Sequence, residues 1–101
     1  MSEIMGVAWF RDEDTYRRAR SVFVDPENLP ARFEDWQALV ARQCELIRES
    51  GTRVLRADID PETFPSWCAS RGLFPNSEGR LAFVKYAELE YRKTGKGTVL
   101  E

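Results

Sequence analysis

With 101 residues, 43% of them apolar and including three Trp, three Tyr and six Phe, the chain has the material for one packed core, which argues against intrinsic disorder. Fifteen Lys and Arg stand against 17 Asp and Glu, a net charge of -2. That balance supplies no global field for a polyanion or an anionic membrane. Two cysteines, no signal-like segment and no apolar run long enough to span a bilayer point to a single domain (1–101) in a reducing, cytoplasmic setting, without membrane contact.

Residues 1–8 and 94–101 carry little pattern and are expected to be irregular; the final Leu100-Glu101 has the look of an expression-tag remnant. Acidic residues Asp12, Glu13 and Asp14 open a first helix over about 12–24. Tyr16, Ala19, Val22 and Phe23 recur in it at helical spacing, and Arg17, Arg18 and Arg20 follow the acids as the helix dipole prefers. The prolines at 26 and 30 end it, because each biases its predecessor away from helical backbone. A second helix over about 31–50 carries a stripe of Phe33, Trp36, Val40, Cys44 and Ile47, widened by Leu39 and Leu46.

Leu55, Ala57 and Ile59 alternate with Arg56 and Asp58, the period of a strand over 53–59. Asp60 is placed to cap the next helix, with Pro61 at a first helical position. Pro65 complicates that helix, leaving either one element or a turn and then a helix from Pro65; both put Phe64, Trp67 and Cys68 on one side. Asn76 caps a last helix to about residue 93, with Ala82, Phe83, Tyr86 and Leu89 inward. The expected fold class is mainly α with a small β element, about four helices and one short strand, becoming α+β if the strand pairs within the chain. A lone strand leaves backbone groups unmet. Its candidate partners are Ile4–Trp9, the same strand of a second copy and, ranked lower, Thr98–Leu100. A homodimer through strand 53–59 is the expectation for assembly.

Several chemical motifs fail on spacing. Trp67-Cys68 is similar to the opening of a thioredoxin-type site but lacks its second cysteine, and both Cys44 and Cys68 sit on apolar stripes as inert thiols do. A structural zinc site lacks ligands. Asp58, Asp60 and Glu62 alternate like a calcium loop, yet Thr63 and Ala69 stand where Gly and Glu are required. With no histidine, phosphate loop or nucleophile elbow, no catalytic residue, metal or cofactor is assigned, and the protein is not expected to be an enzyme.

The expected role is a protein-interaction or regulatory module without catalysis, with Trp36, Arg56, Trp67 and Arg71 as its candidate contact surface for an unknown protein partner. The alternative is a weak nucleic-acid binder using Arg17, Arg18, Arg20 and Arg53, which the negative net charge disfavours. The segment Ile59-Asp60-Pro61, then Phe64, Trp67-Cys68 and Arg71-Gly72, preceded by Phe33 and Trp36 and followed by Arg80 and Phe83, resembles a group of small uncharacterised bacterial proteins. The resemblance implies a stand-alone cytoplasmic bacterial protein and brings no activity, ligand or functional residue.

Overall fold

The computed structural model describes residues 3–100. In chain order it contains β1 (Ile4–Trp9), α1 (Glu13–Val22), a 3₁₀ turn (Pro26–Asn28), α2 (Phe33–Glu49), β2 (Arg53–Asp58), α3 (Phe64–Ala69), α4 (Ser77–Thr94) and β3 (Thr98–Leu100). Helix takes 55% of the residues and strand 15%, with the strands joined in one mixed sheet, so the fold is α+β. Among the described residues no helix is long and apolar enough to cross a membrane.

The sheet order is β1-β2-β3, with β1 parallel and β3 antiparallel to β2. Two expectations are thereby corrected. The segments expected to be irregular hold β1 and β3, leaving residues 1, 2 and 101 outside the described residues. The predicted strand is the central one: β1 runs beside it from Arg53 to Asp58, and β3 covers Val54 to Arg56 on the other side. Most of its backbone demand is thus met within the chain, by Ile4–Trp9 and Thr98–Leu100 from among the expected partners, and a second copy finds no open edge along Val54 to Arg56.

Alternation along the strands sends Met5, Val7, Trp9 and Val54 towards α2, and Gly6, Ala8, Leu55 and Ala57 towards α4. Trp9 meets the edge of Trp36 on α2 at 5.4 Å, whereas a Cβ on Gly6 would stand only 2.8 Å from Val84 Cγ1 on α4. Gly6 is therefore what lets α4 lie directly on β1. The core fills the space between these layers: Val40 and Cys44 of α2 with Val54, then Phe10, Tyr16, Phe23, Trp36 and Phe64 at the end of the sheet beyond Trp9. Tyr16 is fully buried, and its hydroxyl donates to the Pro30 carbonyl, tying α1 to the start of α2.

Two helix starts, those of α1 and α4, carry side-chain caps. The Asp12 carboxylate accepts from Thr15 N–H at 2.8 Å, and the Asn76 side chain accepts from Gly79 N–H at 3.1 Å. Asp60 differs from expectation: its Oδ1 accepts from Glu62 N–H at 2.9 Å and its carbonyl accepts from Thr63 and Phe64, so it organises a turn ahead of α3. On α4, Tyr86 and Leu89 are 40% and 54% exposed, and the buried side is Gly79, Arg80 and Val84. Phe83 packs against the core as expected, while the rest of the inward stripe is rotated towards Val84, which lies over β1.

The heaviest electrostatic joint is Arg80 on Asp25, with side chains only 10% and 13% exposed. Asp25 also accepts from Ser77 N–H at 2.9 Å and Asn28 Nδ2 at 3.1 Å, so the loop after α1 is locked to the amino end of α4. The bidentate Arg80 hydrogen bonds hold the Asp25 carboxyl below its ordinary value, against the opposing effect of burial.

Candidate functional site: the free edge of β1

The four residues expected to form one contact surface are dispersed. Trp36 is a core residue, 4% exposed. Arg56 lies over the Trp9 ring at 5.2 Å and pairs with Asp58 at 2.8 Å, on the α2 side of the sheet. Trp67 and Arg71 belong to the opposite layer, where the Arg71 guanidinium lies 4.1 Å from the Trp67 ring and 5.2 Å from that of Tyr86. The Trp67–Arg71 pair does stay together at the surface. Among the described residues the buried Trp67 indole N–H has no acceptor.

The arginines of the alternative do not form one face either. Arg17 and Arg18 stand beside Asp14 at 3.8 and 3.5 Å, and Arg18 also reaches Glu62 at 2.7 Å. Arg20 turns back to the Pro26 carbonyl at 3.1 Å, and Arg53 sits beside Tyr91 at the other end of the sheet. A cleft of about 190 Å³ beyond the carboxyl ends of β1 and β2 is lined by Arg11, Arg18, Asp58, Asp60 and Glu62. That is where α/β sheets often hold ligands. Its charges are largely spent on neighbours, since Arg18 binds Glu62, Asp58 binds Arg56, and Arg11 is 3.7 Å from Asp12. Among the described residues no group of three His, Cys, Asp or Glu side chains is disposed to hold a metal. Burial pushes both thiols up, Cys44 and Cys68 alike, the reverse of what a reactive cysteine needs.

The surface that sequence reasoning missed is the outer edge of β1. Arg53 N–H donates to Glu3 O and Ile59 N–H to Trp9 O, so the odd-numbered residues of this stretch serve β2. In a parallel ladder the intervening residues, Ile4, Gly6 and Ala8, then turn their backbone groups the other way, where among the described residues no strand lies beside them. Along that edge runs a groove of about 360 Å³ whose floor is Gly6 to Ala8. Leu39, Val40 and Gln43 of α2 form one wall, and Leu81 and Val84 of α4 the other. Leu39 and Leu81 are 46% and 57% exposed, and Met5 on β1 itself, Leu46 on α2 and Leu89 on α4 are similarly open. Large apolar side chains gathered around an unpaired strand edge are a surface that proteins usually blunt.

One side chain does blunt it. Glu88 of α4 reaches over and accepts from Gly6 N–H through Oε2 at 2.7 Å. The missing Cβ of Gly6 makes the approach possible, because that carbon would stand 3.3 Å from Glu88 Cγ.

Comparison with known protein families, curated proteins and solved structures returns no match. The chemistry of the groove therefore carries the functional reading.

Proposed function

We propose that the protein is a protein-binding module without catalytic activity, and that its binding surface is the groove along the free edge of β1. The observation that carries this is the pair of half-exposed leucines, Leu39 and Leu81, lining one groove from two helices over backbone groups that, among the described residues, have no strand beside them. Both parts of the surface gain from being covered. Each leucine contributes about 25 cal/mol for every Å² of apolar surface removed from water, and edge groups of a sheet are a ready template for another chain.

The test is site-specific photocrosslinking in the cells from which the chain comes. A photoreactive residue at Leu39 or Leu81 is expected to give discrete adducts of higher mass, and one at exposed Glu49 or Arg17 is not. Adducts of equal yield from all four positions, or none from Leu39 and Leu81, would sink the proposal.

A further inference from the structure

We infer that the occupant of the groove is an extended segment of another protein that adds to β1 as a fourth strand, apolar on both faces and carrying a Lys or Arg that draws Glu88 away from Gly6. This rests on the groove being the binding surface and specifies what it takes.

Three features select that occupant. The floor offers backbone groups of Gly6 and Ala8, which a strand satisfies and a helix does not, since a helix bonds its own backbone. The walls lie on both sides of the sheet plane, α2 on one and α4 on the other, so a strand laid against β1 presents alternate side chains to Leu39 and to Leu81. Both faces of the added strand are covered, as in the interior of an α/β sheet. The same walls weigh against a second copy, because antiparallel two-fold pairing of two β1 edges sets α2 beside α2 and α4 beside α4, like wall against like.

Charge supplies the third feature. Arg80, which borders the groove, is committed to Asp25 through two hydrogen bonds of 2.8 and 3.0 Å. Glu88 makes no ion pair among the described residues; its Oε2 is engaged only by Gly6 N–H. An arriving strand needs that N–H for its own carbonyl, and the displaced carboxylate needs a new partner. A basic side chain on the arriving strand meets the need, whereas an acidic one adds repulsion at the same spot. Glu88 thus serves as a latch: it closes the edge when the groove is empty and selects charge when it fills.

The experiment is selection from a displayed library of random dodecapeptides on the full chain, then affinity measurements on the synthesised winners. Selected peptides are expected to share a proline-free run of four or more β-branched or aromatic residues with one Lys or Arg. Their affinity is expected to fall at least tenfold on Leu39→Glu and on Leu81→Glu, both at exposed positions that leave the fold intact by circular dichroism. Ala8→Pro, which removes an outward N–H and leaves the bonds to β2 in place, should do the same. Glu88→Lys should invert the charge preference, favouring a version of each peptide with Glu in place of its base. Winners that bind through the leucines but show helical spacing, or whose charge preference Glu88→Lys leaves unchanged, would overturn the strand-and-base inference while leaving the groove as a binding surface. Failure to select any peptide sensitive to Leu39→Glu or Leu81→Glu would remove both.

Discussion

Arg80 holds Asp25 by both terminal guanidinium nitrogens, at 2.8 and 3.0 Å, across 55 residues of sequence. Asp25 sits in the turn after α1 and Arg80 in the first turns of α4, so the pair fastens the amino end of the helix that forms one wall of the groove. Removing one partner of a buried ion pair strands the other.

Asp25→Asn should therefore cost about 3 kcal/mol, measured as the shift in denaturation free energy at neutral pH. The pH dependence has a definite sign. The native carboxyl titrates below its ordinary value of 3.8, so its contribution is complete above that value and is lost as pH falls through the native one. The stability gap between wild type and Asp25→Asn should be flat from about pH 7 to pH 5 and should narrow below about pH 4. A gap that stays constant down to pH 2 would mean that the carboxylate charge adds nothing to the joint.

Gly79 tests the packing behind the same helix. Replacing a helical glycine by alanine ordinarily gains up to about 1 kcal/mol. Here the new Cβ would lie 2.3 Å from the Phe74 carbonyl oxygen and 2.9 Å from Cys68 Sγ, and the backbone oxygen cannot simply rotate away. Gly79→Ala should destabilise by about 1–3 kcal/mol, the usual range for overpacking. A midpoint equal to or above that of wild type would show that α4 has room to lift from α3.

How far these features can be read in the sequence depends on their range. Asp12 and Asn76 are local signals, and both cap the helices they precede. β2 is legible because Leu55, Ala57 and Ile59 alternate with Arg56 and Asp58. β1 is legible as the candidate partner Ile4–Trp9, because Met5, Val7 and Trp9 alternate, but the reason for Gly6 is not, since its missing side chain matters only to a helix more than 70 residues away. Asp25 with Arg80 leaves no local trace either. The groove is hidden for another reason: Leu39 and Leu81 extend apolar helical stripes, and periodicity cannot separate a stripe over the core from one that overhangs a sheet edge. Trp36 fails as a contact residue on the same ground.

The thiols bear on the redox alternative. Cys44 and Cys68 are 3% and 0% exposed, and burial raises both above the ordinary thiol value. Each should react with a disulfide reagent at neutral pH only as fast as the protein opens, and rapidly in denaturant. Prompt labelling of Cys68 in the native protein would restore it as a reactive cysteine.

The last prediction separates a helix cap from a turn. Asn76 and Asp60 carry the same kind of signal, a short polar side chain just ahead of an apolar helical segment, but the structure uses them differently. Asn76 meets the third amide of the 18-residue α4, a wall of the groove. Asp60 meets Glu62 N–H in an exposed turn that leads into the six-residue α3. Replacing a true cap costs about 1 kcal/mol because a helix-end donor loses its acceptor. The exposed turn amide at Glu62 can instead be taken over by water, at a smaller cost. Asn76→Ala should therefore lower stability by about 1 kcal/mol, with Asp60→Ala costing less than half as much, both measured by urea denaturation at pH 7. If Asp60→Ala proves the more damaging of the two, the turn before α3, rather than the start of α4, governs how this layer is assembled.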